Sequence, residues 1–140
     1  VLMKVEVDWK GGKAFEAIAD SGHKVMMDAS PAVGGENRGS RPMELLLMGL
    51  GGCSSIDVTM MLEKSRQNVI DCKAVIEAER ADAVPAVFTS IHVHFIVTGK
   101  RLSDKHVQRA VKLSAEKYCS ASIMLAKAVE ITHDFEIIEE

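Results

Sequence analysis

The sequence lacks any basic tract of useful length. It has 17 Lys and Arg against 20 Asp and Glu, for a formal net charge of -3, and its pI is near 6.0. Because binding through nucleic-acid phosphates calls for a basic face, this balance argues against a nucleic-acid partner. Residues 1–9 alternate apolar and charged side chains, which predicts neither a signal peptide nor a membrane span. We therefore expect a cytoplasmic protein without a membrane partner.

The sequence also lacks a Cys-x-x-Cys pair. Its three cysteines, Cys53, Cys72 and Cys119, are far apart and odd in number, which fits neither a secreted disulfide framework nor zinc or iron–sulfur spacing. We expect one reactive pair, one buried thiol, and no cofactor or metal. His92 and His94 share a face of a predicted strand, a geometry that zinc or copper sites use. No matched acidic or cysteine ligand stands nearby in the sequence, so a solvated or dimer-facing strand surface is favoured.

Linkers and internal repeats are absent as well, and the 47% hydrophobic content is enough for one domain over residues 1–140. Alternation of apolar and polar residues predicts six strands, at residues 5–9, 15–19, 24–28, 69–80, 88–99 and 129–137. Helical periodicity predicts three helices, at about residues 42–66, after the N-cap Ser103, and at about 122–128. This order has no regular βαβ repeat and predicts an α+β fold with mostly antiparallel sheet. The glycine-rich residues 29–41 are expected to form a mobile loop.

Cys53 lies deep inside the long predicted helix that opens at Pro42, directly behind Gly51 and Gly52. Each glycine costs roughly 1 kcal/mol relative to alanine in a helix interior. Glycine removes bulk, so either another helix packs close to Cys53 or a ligand reaches its sulfur. Cys119 follows a break between two predicted helices. A thiol cycle needs one thiolate to attack and a second thiol to close a disulfide; two small buried residues are the alternative, since free cysteine is often buried.

Two segments carry a family resemblance: residues 42–57, PMELLLMGLGGCSSID, and residues 115–121, AEKYCSA. They resemble the OsmC/Ohr family, most of all its YhfA-like branch, and the similarity covers nearly the whole chain. The resemblance implies an OsmC-like fold, with sheets packed around a long central helix. It also implies an intertwined homodimer with its sites at the subunit interface.

The resemblance further implies a redox protein that reduces organic hydroperoxides in the response to oxidative stress. Cys53 would be the peroxidatic cysteine, attacking the peroxide and becoming a sulfenic acid, and Cys119 would condense with it to form a disulfide. A small or protein thiol would then reduce the pair. Leu50 and its apolar neighbours would suit an organic hydroperoxide tail. Two alternatives stay open: a non-enzymatic small-molecule binding module and a cysteine-dependent acyl transferase or hydrolase.

The chain departs from the family pattern at the groups that tune the thiol. Well-studied peroxidase branches have a glutamate that holds an arginine against the thiolate, and here that position is Met43. Glu44 comes one residue later, on roughly the opposite side of the helix from the cysteine, so another role is open to it. Arg38 and Arg41, or a basic residue of a partner subunit, would have to replace the missing arginine. Asp57, one turn after the cysteine on the same face, would disfavour the thiolate by like-charge repulsion.

Overall fold

The computed structural model describes residues 1–140. Its elements are, in chain order, β1 (Val5–Trp9), β2 (Phe15–Ala19), β3 (Lys24–Met27), α1 (Pro42–Lys64), β4 (Asn68–Arg80), β5 (Phe88–Lys100), α2 (Asp104–Leu113), α3 (Ser120–Leu125) and β6 (Glu130–Glu139). All six predicted strands and three predicted helices are present, so the α+β fold is confirmed. The chain forms two compact units, Val1–Met48 and Gly49–Glu140, with α1 running through the boundary. The expectation of one domain over residues 1–140 stays a prediction.

The first unit is built on an antiparallel sheet in the order β1-β2-β3. Trp9 pairs with Phe15 at the end of the first hairpin, and the connecting turn places Gly11 at φ 92° and Gly12 at φ 56°. These backbone angles favour glycine because a Cβ is disfavoured at positive φ. The glycine pair therefore forms the hairpin turn that the sequence predicts.

Asp28 organises the loop that follows β3, and only 2% of its surface is exposed. Its carboxylate accepts backbone N–H groups from Ala29 at 2.8 Å, Glu36 at 3.0 Å and Arg38 at 3.1 Å. Burial acts to raise the pKa of Asp28, but these N–H donors and the Arg38 charge outweigh it and lower the pKa. Three backbone N–H groups of the loop are thus bound to one buried carboxylate. The glycine content of the sequence, which predicts a mobile loop, does not reveal these bonds.

The second unit contains a sheet in the order β4-β5-β6. β4 pairs with β5 antiparallel, whereas β5 and β6 are parallel, so the prediction of mostly antiparallel sheet holds with one exception. The parallel pair needs a crossover connection, which α2 and α3 supply. One face of β5 forms the core, with side chains at most 1% exposed: Ile91, Val93, Phe95 and Val97.

The long helix α1 is apolar on more than one side. Its buried side consists of Leu50, Gly51, Ser54, Val58 and Leu62. A second stripe, which we call the open face, is exposed and consists of Gly49, Gly52, Ile56 and Met60. The most apolar 18 residues of α1 have a mean hydropathy of 1.6 and are 28% buried. By length and composition this helix could cross a membrane, but core helices of soluble proteins meet the same criteria. A helix that is apolar all round is usually covered on all sides.

Candidate active site

The backbone that follows α2 fixes the position of Cys119. α2 continues into a π-type turn over Ser114–Tyr118, and the Cys119 N–H donates to the Ser114 carbonyl oxygen at 2.8 Å. Cys119 itself is extended, with φ -75° and ψ 105°, and is the N-cap of α3: its sulfur accepts the Ser122 N–H at 3.3 Å. The break that the sequence predicts at Cys119 is therefore a tight turn between two helices. It directs the sulfur inward, where the residue is 0% exposed.

Cys53 and Cys119 converge within the second unit. The sulfurs of both cysteines and a carboxylate oxygen of Asp57 all lie within 4.8 Å of one another, and both cysteines are free thiols. A disulfide requires sulfurs about 2.05 Å apart, so a modest side-chain movement separates this arrangement from a bond. The same three side chains offer two sulfurs and one oxygen, which is a donor set of the kind that zinc accepts.

The two cysteines differ in exposure and in the groups around them. Cys53 is half-buried, so its sulfur is the more accessible of the two. Burial raises the pKa of Cys119, hydrogen bonds from Ser54 and Ser122 lower it in part, and the adjacent Cys53 raises it again; the pKa lies above its ordinary value. Cys119 is thus held as a thiol in a dry setting, while Cys53 borders the surface.

Buried serines surround the pair, and sequence reasoning missed their role. Ser54 Oγ lies 3.3 Å from Cys119 Sγ. Ser114 Oγ is 3.4 Å from the Ser54 carbonyl oxygen and 3.3 Å from Asp57 Oδ2, so its one proton is shared between two acceptors. Ser54 and Ser114 are both 1% exposed. In the sequence, both serines could have been recognised as hydroxyl residues beside apolar ones. Ser114 directly follows α2 and its aliphatic residues, and Ser54 directly follows Cys53 in α1.

A cavity of about 410 Å³ opens beside Asp57, between the C-terminal half of α1 and α2. Methionine and leucine side chains form part of its wall, and three basic side chains face the same space: Lys64, His106 and Arg109. Asp57 therefore lines the same cavity as three basic side chains, and the repulsion expected between Asp57 and the thiolate stays a prediction. Arg109 lies in α2, far from the segments in which the family resemblance suggested an arginine.

The proposed tuning residues of the first unit have other partners. Arg38 Nη1 donates to the Lys10 carbonyl oxygen at 3.1 Å and Arg41 Nη1 donates to the Gly39 carbonyl oxygen at 2.9 Å. Glu44 Oε1 accepts the Arg41 backbone N–H at 2.8 Å, which is one half of a capping box with Pro42 in the first helical position. Glu44 thus has the different role that the sequence left open to it. The contribution of these three residues to the thiol stays a prediction.

Gly51 and Gly52 lie on different sides of α1 and have different structural roles. A Cβ on Gly51 would lie 2.4 Å from Ile76 Cδ1, whereas a Cβ on Gly52 would meet no atom within 4 Å. Gly51 therefore allows α1 to approach a strand, β4, rather than the second helix that the sequence suggested. Gly52 leaves open space on the open face beside Cys53. Leu50, which the sequence suggested for a hydroperoxide tail, is 0% exposed and belongs to the core; its role toward a substrate stays a prediction.

Comparison with known proteins places this site in a family. The sequence pattern of the family described as OsmC-like protein matches residues 35–134. Protein YhfA of Escherichia coli (strain K12) is 47% identical over 136 residues, which cover 97% of this chain and 98% of YhfA. The chain belongs to the OsmC-like family. All three cysteines of this OsmC-like protein lie within the matched residues, and the resemblance stated from the sequence is confirmed.

Solved structures agree with this OsmC-like assignment. A hypothetical protein from Aquifex aeolicus VF5 is 30% identical, with a TM-score of 0.88 and coverage of 100% of this chain and 98% of that one. An organic hydroperoxide resistance protein OsmC from Legionella pneumophila is 17% identical, with a TM-score of 0.74 and 97% of each chain covered. The second likeness shows that the fold is shared.

Proposed function

We propose that this protein is a thiol-dependent hydroperoxide reductase in which Cys53 and Cys119 form one catalytic pair. The observation that carries the proposal is the convergence of the two free sulfurs within 4.8 Å, one half-buried and one fully buried. The name of the Legionella relative, an organic hydroperoxide resistance protein, supports the same chemistry. A redox function in oxidative stress follows from this proposal.

The reaction begins at Cys53 because its sulfur is the accessible one. Its thiolate attacks one peroxide oxygen, the O–O bond breaks, and the departing alkoxide takes a proton to leave as an alcohol; Cys53 is then a sulfenic acid. Cys119 attacks that sulfur, the S–O bond breaks and water leaves, so that a disulfide joins the pair. A small dithiol or a protein thiol then reduces the disulfide and is itself oxidised.

The environment of Cys119 suits the resolving step. Its raised pKa keeps Cys119 protonated. A protonated thiol does not compete with Cys53 for peroxide, because the thiolate is the nucleophile. Once Cys53 carries oxygen, Cys119 moves within the 4.8 Å cluster and gives up its proton, which leaves with the sulfenic oxygen as water. Ser54 Oγ, 3.3 Å from the Cys119 sulfur, is placed to hold that sulfur until then.

We also propose that the working form is a homodimer, with a second copy covering the open face. Ile56 is 65% exposed and Met60 is 45% exposed in the single chain, and covering such side chains is favourable at roughly 25 cal/mol per Å². Gly52 leaves no Cβ between this face and an approaching helix. A partner subunit at this position would enclose the half-buried Cys53 and exclude bulk water from the reacting sulfur.

The proposal is tested by following consumption of cumene hydroperoxide with dithiothreitol as the thiol donor. Cys53→Ser is expected to reduce the rate to that of peroxide and dithiothreitol alone. Cys119→Ser is expected to form a sulfenic acid, trapped by dimedone and seen by mass spectrometry, without an intramolecular disulfide. Cys72→Ser is the matched control and should keep full activity, because Cys72 lies in β4 and burial with the nearby Asp71 charge raises its pKa.

Three results would contradict the proposal. Unchanged turnover in Cys53→Ser would remove Cys53 as the attacking group. Persistent free thiols at both positions after a stoichiometric pulse of hydroperoxide would favour a small-molecule binding module, and a thioester on Cys53 after treatment with an activated ester would favour an acyl transferase.

A further inference from the structure

A histidine-rich cluster lies on the second sheet, on the face opposite its core. The outer face is defined by the residues of β4, β5 and β6 that alternate with the buried ones. His92 and His94 lie on this face of β5, next to the core residue Val93, which is 0% exposed. The parallel register pairs His92 with Thr132 and His94 with Asp134. The sheet thus supplies the acidic partner that the local sequence around the histidines lacks.

Three side chains meet at one point on this face. Asp134 Oδ1 lies 2.8 Å from His92 Nε2 and 2.6 Å from His94 Nδ1. A tetrahedral ion about 2.1 Å from each donor would hold neighbouring donors about 3.4 Å apart. The two contacts to Asp134 therefore have to lengthen by less than 1 Å to admit an ion. The side chains of His92, His94 and Asp134 are 43%, 30% and 57% exposed, so ions and water can reach the cluster.

The far nitrogen of each ring also faces an oxygen. His92 Nδ1 is 2.6 Å from Thr132 Oγ1, and His94 Nε2 is 3.6 Å from Glu136 Oε1. Metal-binding histidines commonly donate the N–H of the second ring nitrogen to such an oxygen, which fixes the tautomer and leaves the other nitrogen free as a ligand. Without an ion, His92 Nε2 and His94 Nδ1 donate their N–H groups to Asp134 Oδ1. With an ion bound, that rule would move each ring proton to the far nitrogen and leave these two converging nitrogens as ligands.

The surrounding charge favours a cation. Carboxylates dominate the outer face on the strands beside the histidines: Glu77, Glu79, Glu130 and Glu136. Glu77 is the cross-strand partner of His92 and lines the same shallow depression as His92 and Thr132. It is placed to stabilise a water molecule on an open coordination position.

From this geometry we propose that His92, His94 and Asp134 bind a divalent transition-metal ion of the zinc class. Two imidazole nitrogens and one carboxylate oxygen suit Zn²⁺, Cu²⁺, Ni²⁺ or Co²⁺ better than Ca²⁺ or Mg²⁺, which prefer oxygen ligands. Water completes the coordination shell. The site is separate from the cysteine pair and does not depend on the proposed peroxide chemistry.

The test is a calorimetric titration of the full chain with Zn²⁺ alone, in a Cys53→Ser, Cys72→Ser, Cys119→Ser background that removes all three thiols. One equivalent of Zn²⁺ is expected to bind. His94→Ala and Asp134→Ala should each weaken binding by at least tenfold, and Thr132→Val should weaken it about 10-fold through the His92 tautomer. His23→Ala is the matched control, because His23 is exposed in the first unit, and it should leave affinity unchanged.

A spectroscopic measurement locates the ion independently. Electron paramagnetic resonance of the Cu²⁺-loaded thiol-free protein is expected to show coupling to two imidazole nitrogens, lost in His94→Ala, with circular dichroism confirming that each variant is folded. Absence of saturable Zn²⁺ binding in the thiol-free protein would overturn the proposal. Binding that is equally strong in His94→Ala and Asp134→Ala would overturn it as well.

Discussion

The proposed disulfide has a measurable effect on stability. A bond between Cys53 and Cys119 closes a loop of about 66 residues, and the loss of chain entropy in the unfolded state is worth about 4 kcal/mol for a loop of that length. Its formation takes the Cys119 sulfur away from Ser54 Oγ and from the Ser122 N–H, and the loss of these two weak sulfur hydrogen bonds costs about 1 kcal/mol in total. The free energy of unfolding is therefore expected to rise by about 3 kcal/mol on oxidation.

Guanidinium unfolding of the reduced and oxidised protein measures this difference. We expect the midpoint to rise by roughly 0.8 M, taking a slope of about 4 kcal/mol/M for a chain of this size. Both samples carry Cys72→Ser, so that only the pair can oxidise, and are compared at one protein concentration because association also shifts the midpoint. Cys119→Ser, treated with the same peroxide, should show no rise.

An intramolecular Cys53–Cys119 bond, identified by mass spectrometry, that leaves the midpoint unchanged or lowers it would contradict this expectation. That result would mean that native-state strain cancels the chain entropy. A disulfide found only between chains would refute the pairing itself.

Three further perturbations test the fold and the open face. Phe95→Ala removes a fully buried side chain of β5 and should destabilise the protein by about 3–5 kcal/mol in urea unfolding. The pKa of Asp28 is lowered in the folded protein, so the ionised carboxylate stabilises the fold above the unfolded pKa of about 3.9, and this stabilisation is lost as the pH falls through the folded pKa. In urea unfolding, Asp28→Asn should make the free energy of unfolding depend less steeply on pH in that acid range. Ile56→Glu should shift the light-scattering mass from dimer to monomer, while Glu63→Gln, an exposed substitution on the same helix, should not.

Alternation and helical periodicity predicted the strands and helices well, because they record which side of an element is buried. Val93 and Phe95 identified β5, and Ser103 marked the start of α2, where its side chain accepts the His106 N–H. Predicted bounds differ from the observed ones by a few residues at most of the ends. α1 ends at Lys64 rather than near Arg66, since the last turn of a helix has few hydrogen bonds to hold it.

Long-range partners could not be predicted in this way. Periodicity placed His92 and His94 on one face, but the parallel pairing that brings Asp134 between them joins segments about 40 residues apart. The partners of Ser54 and Ser114 could not be predicted either, because in the sequence each hydroxyl only interrupts a run of apolar residues. Cys53 and Cys119 were paired through the family resemblance, and the fold brings the two sulfurs together.

The position of Cys119 as the N-cap of α3 links redox state to local helix stability. An N-cap side chain satisfies an otherwise free amide at the start of a helix, and here the acceptor is sulfur rather than oxygen. As the acceptor of the Ser122 N–H, a thiolate is strong and a thiol is weak. A disulfide sulfur turned toward Cys53 would release the Ser122 amide. Hydrogen exchange at Ser122 would therefore speed up on oxidation, making a single backbone amide a reporter of the state of the pair.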